Sequence, residues 1–141
     1  MLAQVSSNLM WETFSEKYTN TNHYLQYTGL FSIGLIGNFY HHNLLAELRR
    51  SSSKEGMKSS KTYVAPKGGL FEYVAAPHYL FELIGWLGIA VVAQHANAYL
   101  VFASMTSYLS GRAFSQNSWN RSKFSANDWP TSRKNIVPFI I

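Results

Sequence analysis

The sequence predicts an all-α integral membrane protein with about three transmembrane helices. Three observations carry that expectation. Charged residues make up only 13% of the 141 residues, while aromatics make up 16%; the charged share is about half that of an ordinary soluble domain. The charges are also crowded. Residues 18–46 and 83–111 form two spans of 29 residues, each without Asp, Glu, Lys or Arg. A crossing helix needs roughly 20 mostly apolar residues, whereas a soluble amphipathic helix normally carries a charged stripe that these spans lack. Finally, the formal net charge of +5 is gathered into two basic segments, residues 47–69 and 112–141.

Taken in order, residues 1–23 are polar and aromatic, with Lys17 set against Glu12 and Glu16. They have no basic start followed by an apolar core, so a cleavable signal peptide is not expected. A first helix is predicted over 24–48, its apolar part rich in Leu25, Leu30, Phe31, Ile33, Leu35 and Ile36. A basic loop follows over 49–69, where Pro66 and Gly68-Gly69 break helix. Residues 72–110 read as a helical hairpin: the apolar run LIGWLGIAVVA, the polar break QHANA with a turn near 94–97, then YLVFASMTSYL. The tail, 111–141, mixes basic and aromatic residues and suits a membrane surface. The positive-inside rule puts the loop and tail in the cytosol and residues 1–23 on the other side. The sequon Asn120-Arg121-Ser122 then lies in the cytosol, where it is unused.

Polar side chains inside an apolar helix usually mark a site. Asn38, His42 and Arg49 are spaced by four and seven, which puts an amide, an imidazole and a guanidinium on one helix face. Descending toward the cytosol, they suit a polyanionic ligand, with Arg as a planar fork for phosphate. Glu82 follows His78 by four, again on one face, and its carboxylate can receive a hydroxyl or amide proton. No metal site is expected: there is no cysteine, and the adjacent His41 and His42 face different ways. No GxGxxG follows a strand, so a soluble dinucleotide fold is not supported. The scattered basic residues do not make a nucleic-acid module.

Several motifs in one order resemble the C-terminal region of the steroid 5α-reductase family. They are Asn38, His42, Leu45, Leu48 and Arg49 in the pattern NxxxHxxLxxLR; Tyr63, Pro66 and GGLFE at 68–72; Pro77, His78, Tyr79, Glu82, Gly85 and Trp86; then Gly111-Arg112-Ala113, Arg133-Lys134 and Pro138-Phe139. The resemblance assigns 24–141 to that C-terminal domain, part of a multi-helix reductase bundle. It implies a multi-pass protein of the endoplasmic reticulum membrane that takes NADPH from the cytosol and a lipid from the bilayer. It implies reduction of a polarised C=C bond, as in a 3-oxo-Δ4-steroid or an enoyl substrate, with hydride going to the β-carbon. By matched positions, Asn38, His42, Arg49, Tyr63, His78, Tyr79, Glu82 and Arg112 are the expected cofactor-binding residues. The residues that polarise the substrate carbonyl are expected in an N-terminal half outside this sequence. His42 is similar to the enoyl-CoA and polyprenol reductase branches. Asn117 stands where the family carries His, and Asn120 where it carries Tyr. A chain that keeps the fold without the chemistry is the alternative. A methyltransferase using S-adenosylmethionine fits the GGLFE loop less well.

Overall fold

The computed structural model describes residues 21–54 and 64–138. They form three α-helices and one 3₁₀ turn: α1 (Thr21–Lys54), η1 (Gly69–Glu72), α2 (Pro77–Ala93) and α3 (Ala96–Lys123). The only β-structure among the described residues is a single parallel bridge between Val74 and Lys134. The described residues therefore belong to the all-α class. Residues 1–20 and Tyr63 lie outside the described residues.

Glycines set how closely α1 and α2 pack. A Cβ on Gly34 would fall 2.7 Å from the Gly85 Cα, and one on Gly88 would fall 2.8 Å from the Phe31 nitrogen. A Cβ on Gly37 would collide with the Phe81 ring. Glycine in a helix interior costs about 1 kcal/mol relative to alanine, and here it lets two backbones touch.

Pro77 opens α2 at a position where its missing N–H is no loss. Gln94 closes the helix in the left-handed conformation (φ 48°), its N–H bonded to the Ala90 carbonyl at 3.0 Å. His95 then caps α3, its Nδ1 accepting from the Asn97 N–H at 3.2 Å. The hairpin turn thus sits at Gln94–His95, inside the polar break expected to hold it.

The third helix runs past its expected end near residue 110 to Lys123. Leu109, Ala113, Asn117 and Asn120 are buried at helical spacing, so a continuous packed face draws residues 111–123 into the helix. After Lys123 the chain folds back along the segment between α1 and α2. The Ala75 N–H donates to the Lys134 carbonyl at 2.8 Å, and the Lys134 N–H to the Tyr73 carbonyl at 2.9 Å. The buried core lies at this end: Ala65, Ala75 and Trp129 pack with Phe124, and Ala76, Ala113 and Ile136 with Tyr79, Leu80, Leu83 and Val137.

Among the described residues, no helix is long and apolar enough to cross a membrane. The reasons differ by helix. The 34 residues of α1 include Asn38, His41, His42 and Asn43. The strongly apolar α2 has 17 residues, or about 25 Å against a hydrocarbon core of roughly 30 Å. The 28 residues of α3 are polar over their second half. Large apolar side chains nevertheless stand exposed on α1 (Leu25, Ile33, Leu35, Ile36, Phe39) and α3 (Leu100, Tyr108, Phe114).

Candidate functional site

A groove of about 340 Å³ runs between α1 and α2. On α1 it is lined by Gly34, Asn38 and His42, each four residues from the last; on α2 by Glu82, Gly85 and Ile89, at intervals of three and four. The interval places each set on one helix face. The polar groups Asn38, His42 and Glu82 gather at one end, and Phe31, Leu35, Trp86 and Ile89 supply apolar surface.

The polar end is tied across the helices. The Asn38 Nδ2 donates to the His78 carbonyl at 3.0 Å. The His42 and His78 rings lie 5.0 Å apart at 61°. His78 is only 4% exposed, yet its Nδ1 has no hydrogen-bond partner among the described residues. A buried polar nitrogen without a partner carries a desolvation penalty that a bound ligand can relieve.

Tyr79 points elsewhere. One residue on from His78, it turns about 100° around the helix and packs toward α3 with the Ala76–Ala113–Ile136 cluster. Its hydroxyl accepts from the Arg112 Nε at 3.3 Å, a bond that raises the Arg112 pKa above its ordinary value. The guanidinium also lies 5.9 Å from the Tyr108 ring. Arg49 stands exposed on α1, about 10 Å along the axis beyond His42, and does not line the groove. The structure thus brings Asn38, His42, His78 and Glu82 together, sets Tyr79 with Arg112 beside them, and leaves Arg49 apart.

The burial of several tail residues was not expected from sequence. Arg133, one of the motif residues of the resemblance in a tail expected at a membrane surface, is 3% exposed. Its guanidinium stacks 4.2 Å over the Trp129 ring, donates to the Pro66 carbonyl at 3.2 Å and lies 3.6 Å from a Glu72 carboxylate oxygen. Burial pushes its pKa down, and Glu72 partly offsets this. The other Glu72 oxygen accepts the Gly68 N–H at 2.8 Å. Asn117 is a hub: its Oδ1 accepts from the Trp129 indole at 2.9 Å, and its Nδ2 donates to Asn135 Oδ1 at 2.8 Å and to the Arg133 carbonyl at 3.2 Å. Arg121 adds bonds to the Thr131 and Arg133 carbonyls. Asn120 is buried down to its amide nitrogen, so the sequon is closed to glycosylation in this fold. Spacing alone gave no signal for these residues, because the returning tail creates their burial. No group of three or more His, Cys, Asp or Glu that could hold a metal ion occurs among the described residues.

The family described as 3-oxo-5-alpha-steroid 4-dehydrogenase matches residues 2–141. The chain belongs to that family. Relatives include the 3-oxo-5-alpha-steroid 4-dehydrogenase 1 of Rattus norvegicus, 33% identical over 129 residues, which are 91% of this chain and 46% of the relative. The steroid 5-alpha-reductase DET2 of Solanum lycopersicum is 34% identical over 111 residues, 78% of this chain and 42% of the relative. An uncharacterized protein, C9.08c, of Schizosaccharomyces pombe is 34% identical over 128 residues, 82% of this chain and 45% of the relative. The chain therefore spans slightly less than half the length of these family members.

Proposed function

We propose that this chain carries the NADPH site of a membrane-bound reductase acting on a polarised C=C bond of a lipid, a 3-oxo-Δ4-steroid-like or enoyl substrate. The observation that carries the reading is the groove whose polar end gathers Asn38, His42 and Glu82, beside the buried His78, which Asn38 and His42 contact and whose Nδ1 has no hydrogen-bond partner among the described residues. The donor set fits a dinucleotide. A carboxylate suits ribose hydroxyls, an amide and imidazoles suit a carboxamide, and guanidinium groups suit phosphates.

When bound, NADPH supplies the hydride that goes to the substrate β-carbon. The chain's own residues bind and orient. Asn38 and His42 hold the cofactor from α1, while His78 and Glu82 hold it from α2. Arg112, steadied by the Tyr79 hydroxyl, and Arg49 at the far end of α1 take the phosphates; Tyr63, which lies outside the described residues, is a cofactor residue by the resemblance alone. The apolar stretch of Phe31, Leu35, Trp86 and Ile89 excludes water and receives the lipid. The relatives' names support a steroid-like substrate; His42 supports an enoyl-CoA or polyprenyl one.

Embedding in the endoplasmic reticulum membrane, with NADPH entering from the cytosol, belongs to the same reading. Exposed apolar side chains on α1 and α3, and basic residues near the helix ends at Arg49, Arg50, Arg121 and Lys123, support it. The polar residues that interrupt α1 include groove residues, which makes them site residues inside a bundle.

The test is a fluorescence titration of the detergent-purified chain with NADPH. Saturable binding that weakens in Asn38→Ala and Arg49→Ala is expected; absence of saturable binding by the intact chain overturns the reading. Asn117 favours a second reading, a chain that keeps the fold without the chemistry, because its amide stands where the family carries His and is engaged by Trp129 and Asn135 rather than open to a cofactor. The titration separates the two: saturable NADPH binding supports the first reading and its absence the second.

A further inference from the structure

We propose that His41, which lines no part of the groove, is its positioning residue: it locks the Gly68–Leu70 turn onto α1 and holds Phe81, a wall of the groove, against it. The proposal rests on the NADPH reading above. His41 is 3% exposed and makes a bond with each ring nitrogen. Its Nδ1 lies 2.7 Å from the Gly37 carbonyl, and its Nε2 accepts the Leu70 N–H at 3.3 Å. A carbonyl can only accept and an amide N–H can only donate, so the ring proton sits on Nδ1 and the Nε2 lone pair faces the turn.

The ring face is used as well. Phe81 stacks on it with centroids 5.1 Å apart at 21°, and Phe71 meets it edge-on at 5.7 Å. The turn is shaped to the imidazole from its own side. Gly69 has φ +54°, and a Cβ there would fall 3.1 Å from the His41 Nε2. One side chain therefore joins α1, η1 and α2: it donates to a carbonyl of its own helix, accepts from the turn, and offers a flat face to Phe81. Phenylalanine would keep the face and lose both bonds. Glutamine can restore an acceptor near the Nε2 position and little else. Because His41 does not line the groove, its effect on a cofactor passes through Phe81 and through the Gly68–Gly69 turn, whose Gly68 N–H is held by Glu72.

The experiment measures NADPH affinity, thermal midpoint and Leu70 amide exchange in the full chain, in His41→Phe and in His41→Gln. Loss of the buried acceptor in His41→Phe should weaken NADPH binding about tenfold and speed Leu70 exchange, while His41→Gln stays within about threefold of the parent. If the parent binds NADPH and His41→Phe binds it equally well, His41 has no positioning role and the cofactor reading stands. A parent that fails to bind overturns both. If the two variants lose affinity together, in step with lost thermal stability, His41 is a core residue only and the proposal falls. Should His41→Phe not fold, Gly69→Ala crowds the same nitrogen from the turn side. Several-fold weaker binding is expected there, and unchanged affinity overturns the proposal.

Discussion

Glu82 shows what a single residue does in this groove. It is the carboxylate among the lining side chains, on the same face of α2 as His78. Glu82→Gln keeps the shape and removes the charge, and should weaken NADPH binding by about 1.5–3 kcal/mol if the carboxylate receives a ribose hydroxyl; an unchanged dissociation constant removes Glu82 from the site. Trp129 works through the fold instead. Trp129→Phe keeps most of the buried ring, strips the donor that Asn117 Oδ1 accepts, and should lower stability by about 1–3 kcal/mol, read as a drop in thermal midpoint. The two residues differ in how far sequence could show their roles. Glu82 and His78, like Asn38 and His42, are four residues apart on one helix, and helical geometry is local. Trp129, Asn117 and Arg133 meet because the tail returns over α3, and no spacing rule encodes that return. Arg133, in a tail expected at a membrane surface, is therefore buried against an indole that its sequence neighbours do not announce.

At the scale of elements, α1 and α2 are joined by missing side chains as much as by present ones. Gly34 lies against the Gly85 backbone, which has no rotamer by which to yield. Gly34→Ala should drive the helices apart, costing about 1–3 kcal/mol and distorting the groove, whose wall Gly34 and Gly85 share. Gly29 is the control: nothing lies within 4 Å of a Cβ there, so Gly29→Ala should gain up to about 1 kcal/mol of helix propensity. Equal midpoints in the two variants would show that the close approach does not govern stability. Both glycines fall in the same apolar stretch of sequence, and only the partner helix distinguishes them. The end of α3 was illegible for a similar reason. Arg112 and the polar residues beyond it signal departure from an apolar segment, whereas burial of Ala113, Asn117 and Asn120 against the tail keeps the helix going to Lys123.

At the scale of the whole molecule, the buried core gathers where loop and tail meet, while the helices keep apolar side chains in the open. Leu25 and Ile36 are each 68% exposed and Phe39 is 66% exposed. An isolated exposed leucine is ordinary, but so many large apolar groups along two helices exceed what a monomer leaves uncovered in water. The charge deficit of the sequence pointed to such surfaces, and the spacing of Asn38 and His42 marked polar groups inside the first helix; neither showed that α2 would be only 17 residues long. A bilayer, together with further helices of a bundle, supplies the missing cover in the proposed function. Membranes from cells expressing the chain should therefore retain it through an alkaline carbonate wash, which strips proteins held by charge alone, and release it into detergent. Basic residues near the headgroups add salt-sensitive attraction, but carbonate and salt together would not remove a chain held by buried apolar area. Recovery of the chain in the carbonate supernatant would show that the exposed apolar faces are covered by protein and would overturn the membrane reading.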